Sequence, residues 1–486
     1  MKRIITISCF FLLHIATPAQ TEKHVNDFVS DSAFRHAGIS VCFRHADSGD
    51  IIAAHNKDMA LGSASVMKLV TTAAALETLG PDFMFITKIG YTGSLDAADS
   101  TLNGNLVIKG GADPTVLSEY FPEHQPDITD KWAEAICRTS INKVKGSVIS
   151  DARIFDYHPV PGGWNWSDLG NYYGAGAHGI CLLDNMYRIH FSTGDKGSRP
   201  EITAIEPGIP GLTLENRLIA SGKRDNGYVY LEPYGSHAVI RGEIPPDRDD
   251  FILKASIPDP PLLAAGLLQE ALEKRGVKLE KRPASIRLSP SFVYKHRSSP
   301  EMEVLTSYSP PLYEIIRVTN TESINMFAEQ ILKYMGYVYS GDKTATLESG
   351  LEATGRFLED NMDNTEGIYM TDGSGLSRSN ALSASFITSL LHYMKSSSRY
   401  PVHYFNSLAE AGETGTLQYY FKDPVFRDRL RAKSGTSTRI CNYAGLLTTR
   451  KGTDVAFAVL VNNFDCSSSE VTEGVERLLK KIINSL

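Results

Sequence analysis

Between residue 87 and about residue 300 the sequence changes texture, and that change constrains the architecture. The block is rich in Gly, Pro and Asp and carries short β-prone runs such as Leu102 to Lys109 and Tyr228 to Leu231, so mostly β structure is expected. One clear helix, Leu262 to Arg275, stands within it. Before it, Ile39 to Ala54 reads as a hairpin turning at Asp47-Ser-Gly-Asp50. Val66, Leu69, Val70, Ala73, Leu76 and Leu79 then recur at helical spacing until Gly80-Pro81 stops them. After the block, helices are expected over 311 to 318, 324 to 335, 344 to 361 and 383 to 395. Strands are expected over 429 to 434, 442 to 449 and 455 to 462, and a last helix over 469 to 486. The simplest arrangement is an α/β domain made from both ends of the chain, with the middle block inserted into it.

The 486 residues suffice for about two to four domains. With 42% hydrophobic and 22% charged residues, the balance is that of a globular protein. A net charge of −7 without a Lys/Arg cluster argues against a nucleic-acid partner. At the N-terminus, Lys2 and Arg3 precede an apolar run from Ile4 to Ile15, and Thr17-Pro18-Ala19 supplies small residues. That order is a signal peptide, with cleavage expected after Ala19 and an exported, periplasmic product. No later apolar run is long enough for a stable membrane span. Cys42, Cys137, Cys181, Cys441 and Cys466 remain after cleavage. One or two disulfides and buried free thiols both fit, and the spacing specifies no pairing.

Three short motifs carry chemistry in combination. Ser65-Val-Met-Lys68 is an S-x-x-K at the start of the clearest helix, although Ser140 to Lys143 and Ser340 to Lys343 repeat the pattern. A helix start offers a free backbone N–H for an oxyanion. Lys68 lies one turn on, on the same face, where a neutral amine can take the Ser65 proton. Ser323-Ile-Asn325 is an S-x-N, repeated at Ser140 to Asn142. Its hydroxyl can relay a proton, and its amide can orient Lys68 and bind a substrate carbonyl. Lys433-Ser434-Gly435, followed by Thr436, ends a strand and is the only K-[S/T]-G in the chain. There an extended substrate can pair, with Lys433 as a cation for a carboxylate and the Thr436 N–H as a second oxyanion donor. Taken singly, each motif fits a helix cap or a turn equally well.

Together the set resembles that of β-lactamases and penicillin-binding proteins. The chain resembles the class C low-molecular-mass penicillin-binding proteins, the D-alanyl-D-alanine carboxypeptidase/endopeptidase family. Gly104 to Pro114, Ser309-Pro-Pro-Leu312, Asn320 to Asn325 with Ala328-Glu329, Asp372 to Arg378 and Gly415-Thr-Leu417 extend the likeness over the mature chain. SIN stands where SDN is commoner, and KSG where KTG is.

The resemblance implies a penicillin-binding, serine β-lactamase-like domain with an antiparallel sheet flanked by helices. It implies two nested, mostly-β inserts in the long gap between Lys68 and Ser323. The expected division is a catalytic part from 20–86 and 300–486, one insert from 87–105 and 179–299, and a second from 106–178 nested in it.

The implied activity is cleavage of D-Ala-D-Ala or crosslink bonds in peptidoglycan stem peptides through an acyl-enzyme, with β-lactams as covalent inhibitors. A β-lactamase or transpeptidase using the same acyl-enzyme, and a non-catalytic peptidoglycan-binding protein, are the alternatives. A diaminopimelate pocket is implied at Asp168, Tyr173 and Arg378. No cofactor or metal is expected, since no His lies in an HExxH pattern.

Overall fold

A computed structural model of the chain describes residues 18–286, 302–341 and 344–486. The apolar leader through Thr17, the expected boundary at 299/300 and Lys343 lie outside the described residues.

The two ends of the chain build one six-stranded antiparallel sheet. Its order is Ala409–Glu410, Leu430–Ser437, Ile440–Thr448, Asp454–Asn462, Gly38–His45, Ile51–His55. The period-2 geometry of a strand explains why two layers of helices can cover it. Along Asp454–Asn462, Val455, Phe457, Val459 and Val461 face one core, while Ala456, Ala458 and Leu460 face another. The first core is closed by helices Pro18–Val29 and Ser468–Ser485. In the latter, Val471, Val475, Leu478, Leu479, Ile482 and Ile483 repeat at helical spacing and are buried. Its start is fixed by a reciprocal cap between Ser467 and Glu470, worth about 1 kcal/mol. The second core holds helices Lys68–Leu79, Leu312–Thr321, Asn325–Tyr339, Leu347–Asn361 and Ala384–Ser396.

The middle block leaves and rejoins through neighbouring strands: Ile86–Asp96 pairs antiparallel with Met302–Tyr308. Their sheet continues through Thr101–Lys109 to short strands from 143–151 and 278–285. Two three-stranded sheets complete the block. One holds Met186–Ser192, Glu201–Glu206 and Phe251–Ser256; the other holds Thr213–Ala220, Asn226–Tyr230 and His237–Ile244. A third apolar core lies here.

Among its described residues the block contains two substantial helices, Ile128–Cys137 and Pro260–Lys274, where the sequence pattern indicates one. The additional helix buries Ile128, Trp132, Ala133 and Ile136 as a single stripe. The expected boundary between 105 and 106 falls inside strand Thr101–Lys109, which pairs with Ile86–Asp96 without interruption.

The architecture is mixed α/β with added β-rich structure. No helix among the described residues is long and apolar enough to cross a membrane. Cys42, Cys137, Cys181, Cys441 and Cys466 are free thiols, three of them buried.

Candidate active site

Ser65 lies in a 3-10 turn, Ala64–Met67, that leads directly into helix Lys68–Leu79. The turn is held from several sides. Asn442 donates from Nδ2 to the carbonyl oxygens of Gly62 and Ser63, at 2.8 and 3.0 Å. Gly435 lies under the turn, where a Cβ would meet Ser63 O at 2.9 Å and the Val66 nitrogen at 3.0 Å. Gly375, at φ +84°, packs against the Ala64 carbonyl, where a Cβ would stand 1.8 Å from its oxygen. Only residues without a side chain permit both approaches.

Lys68 is fully buried. Its Nζ lies 3.0 Å from Ser65 Oγ, 2.6 Å from Asn325 Oδ1 and 2.8 Å from the Ser374 carbonyl oxygen. Burial pushes the amine down to about 7, while Asp372 and Glu329 act in the opposite direction. The contacts suit a neutral amine. Two N–H bonds reach the two carbonyl oxygens, which leaves the lone pair for the Ser65 hydroxyl proton. The Asn325 amide is oriented by its other end, since Nδ2 donates to the Tyr173 carbonyl oxygen at 2.8 Å.

Ser323 sits between helices Leu312–Thr321 and Asn325–Tyr339 with φ +63°. A left-handed backbone costs a non-glycine residue about 1 kcal/mol. Here it accompanies a 2.9 Å hydrogen bond from Lys433 Nζ to the Ser323 hydroxyl. Lys433 is also fully buried and donates to the Ser434 carbonyl oxygen at 2.8 Å. Burial, and then the neighbouring Lys68, hold its amine well below the ordinary lysine range. Ser434 Oγ meets Thr416 Oγ1 at 2.8 Å, which gives the Gly415-Thr-Leu417 segment its place. From Lys433 onward strand Leu430–Ser437 pairs with Ile440–Thr448 on one side only, because Ala409–Glu410 reaches just Arg431 and Ala432. That open edge beside Ser65 can take an extended peptide.

A cleft of about 420 Å³ joins these parts. Its walls include Ser65, Asn325, Thr436, Asp168, Tyr173 and Arg378. Asp168 accepts from Asn165 Nδ2 at 3.1 Å and from the Tyr173 hydroxyl at 3.4 Å, and Arg378 is exposed at the rim. The cleft thus brings together residues from all three motifs and from the middle block. The repeated motifs lie elsewhere. Ser140 is exposed, and Lys143 pairs with Glu280 at 2.9 Å. Ser340 ends helix Asn325–Tyr339.

Two buried carboxylates behind the site were not singled out by residue chemistry. Glu329 accepts from the backbone N–H groups of Gly373 and Ser374 at 3.1 and 2.8 Å. This anchors the carbonyl that receives Lys68. Burial, and then Asp372, raise the Glu329 carboxyl above its usual range. Asp372 accepts from Trp164 Nε1, Gly375 N, Ser377 N and Asn380 Nδ2 at 2.7–2.9 Å. A signal for the first did exist: Asn325, Glu329 and Lys333 recur every four residues, a polar row on a helix face that is buried at the latter two. Among the described residues no cluster of His, Cys, Asp or Glu is suited to a metal ion.

A D-alanyl-D-alanine carboxypeptidase from an Actinomadura species is 27% identical over 463 residues, covering 91% of this chain and 81% of its own. The D-alanyl-D-alanine carboxypeptidase DacB of Haemophilus influenzae is 23% identical, covering 97% and 95%. The crystal structure of penicillin binding protein 4 (dacB) from H. influenzae superposes with a TM-score of 0.79 at 20% identity, covering 94% of this chain and 98% of that one. The same protein is known in complex with a β-lactam, with a TM-score of 0.75 at 19% identity. Residues 21–482 match the D-Ala-D-Ala carboxypeptidase 3 (S13) family throughout, and the chain belongs to that family.

Proposed function

We propose that the protein is a penicillin-sensitive serine D-Ala-D-Ala carboxypeptidase and DD-endopeptidase acting on peptidoglycan stem peptides. The observation that carries this reading is the buried Lys68 amine, lowered to about 7 and 3.0 Å from Ser65 Oγ. A lysine held near neutral at working pH is a general base, and a serine hydroxyl is a useful nucleophile only beside one.

Ser65 Oγ attacks the carbonyl carbon of the penultimate D-Ala, and its proton passes to Lys68 Nζ. The Ser65 and Thr436 N–H groups receive the developing oxyanion. As the C–N bond breaks, the leaving amine takes a proton through the Ser323 hydroxyl, which Lys433 holds at 2.9 Å. Asn325 fixes Lys68 and offers its second N–H to the substrate. Water then attacks the acyl-enzyme with Lys68 again as base, releasing the shortened peptide. Ser434 and Gly435 shape the open strand edge along which the substrate lies. Asp168, Tyr173 and Arg378 form the pocket for a diaminopimelate side chain. Asp168 takes the ammonium, Arg378 the carboxylate, and Tyr173 packs on the stem.

The protein is exported to the periplasm behind residues 1–19, where this substrate resides. Residues 20–86 and 300–486 form its catalytic part. The test is to incubate it with crosslinked and uncrosslinked muropeptides and identify the products. Loss of the terminal D-Ala and opening of D-Ala–diaminopimelate crosslinks support the reading. Intact peptides after prolonged incubation contradict it.

A further inference from the structure

Asp372 is fully buried and accepts four N–H bonds, two on each oxygen. Three come from the loop that follows it: Gly375 N, Ser377 N and Asn380 Nδ2. The fourth, at 2.9 Å, comes from Trp164 Nε1 in the middle block. Trp164 is buried as well. One residue earlier, Gly163 lies so close to the loop that a Cβ would stand 2.3 Å from Ser377 Oγ and 3.2 Å from Ser377 Cβ. Block and loop thus meet at two adjacent points. The loop in turn touches both members of the reacting pair. The Ser374 carbonyl oxygen accepts from Lys68 Nζ at 2.8 Å. Gly375 packs on the Ala64 carbonyl, next to Ser65, with no room for a Cβ. Asp372 Oδ1 holds that Gly375 N–H at 2.7 Å.

We propose that Trp164 is a positioning residue for acylation: through Asp372 it fixes the loop that carries Ser374 and Gly375, and with it the placing of Lys68 Nζ against Ser65 Oγ. The inference rests on the peptidase reading above and extends it. Trp164 acts from behind the cleft, whose wall is made by its neighbours Asn165, Ser167 and Asp168. A hydrogen bond to a carboxylate is among the stronger ones, and a buried acceptor left without its donor is costly. Without the indole N–H the loop shifts to offer Asp372 another partner. The close packing of Gly375 on Ala64 leaves no slack to absorb that shift.

The middle block supplies a matched control. Trp132 is also buried, and its Nε1 donates to Ser307 Oγ at 3.1 Å, in strand Met302–Tyr308. Trp164→Phe and Trp132→Phe therefore remove the same N–H and keep an aromatic ring. Gly163→Ala presses on the loop from the neighbouring point and leaves the indole intact. Stopped-flow acylation by a chromogenic β-lactam separates the rate constant of acylation from the dissociation constant of the preceding complex, and thermal melting reads stability. Trp164→Phe is expected to lower the rate constant about 10-fold, a fraction of the 10² that a displacement near 1 Å brings, with the dissociation constant unchanged. Gly163→Ala should lower it in the same direction. Trp132→Phe should melt earlier and acylate at the wild-type rate. A wild-type rate constant in Trp164→Phe, an equal loss in Trp132→Phe, or a loss confined to the dissociation constant would overturn the inference. If Trp164→Phe does not fold, a wild-type rate constant in Gly163→Ala overturns it instead. A wild-type protein that takes up no β-lactam overturns the peptidase reading. Normal wild-type acylation beside an unimpaired Trp164→Phe overturns the positioning role alone.

Discussion

At the scale of single residues, the account turns on the protonation of Lys68. Arg cannot lose its proton in a protein, so Lys68→Arg is expected to lower acylation by at least about 10²-fold despite keeping the positive charge. Stopped-flow acylation by a chromogenic β-lactam measures it. The same chemistry sets a pH dependence. Lys68 must be neutral to accept the Ser65 proton, and its amine is lowered to about 7. Acylation should therefore fall as pH drops below about 7. Burial, and then Asp372, raise the Glu329 carboxyl toward its neutral form, so Glu329→Gln keeps that form and should leave the acid limb in place; a shift of the limb to lower pH would show that Glu329 carries charge beside Lys68. The contact between Ser65 and Lys68 was legible in the sequence because it is local, one helical turn. The anchoring by Glu329 was not, because its partners are backbone N–H groups of Gly373 and Ser374, far along the chain. Backbone groups leave no residue-type signature.

At the scale of elements, the Ser65 turn and strand Leu430–Ser437 hold each other in place. Gly435 is where they touch. Gly435→Ala would put a methyl group 2.9 Å from Ser63 O and 3.0 Å from the Val66 nitrogen, so one element must move. A displacement near 1 Å at a reacting centre is worth about 10²-fold. Acylation should fall by about that factor while circular dichroism stays native. The strands and helices with strong period-2 or helical apolar patterns were readable, as along Val455 to Asn462 and Lys68 to Leu79. Helix Ile128–Cys137 escaped because its stripe is short and lies among acidic and turn-forming residues. Strand Thr101–Lys109 was visible, but its ladder with Ile86–Asp96 was not, since pairing is a relation between segments.

At the scale of the whole molecule, the middle block helps to build the candidate active site as well as standing beside it. The Tyr173 carbonyl oxygen orients Asn325, and Trp164 donates to Asp372, which lies next to the loop that receives Lys68. The Ser65 end of the cleft is made by the outer parts of the chain, and the Asp168 end by the block. Asp168→Ala should slow cleavage of peptides with a free diaminopimelate end by about 2–5 kcal/mol in transition-state binding. Acylation by benzylpenicillin, which lacks that group, should be spared. Equal loss on both would make Asp168 a support for Asn165 and Tyr173.

The central claim is that Ser65 is the nucleophile activated by Lys68, and intact-mass spectrometry after exposure to benzylpenicillin tests it most directly. The wild-type protein should gain the mass of one benzylpenicillin, peptide mapping should place it on Ser65, and Ser65→Ala should gain nothing. An adduct on Ser65→Ala, or one mapped to Ser140 or Ser340, would contradict the account.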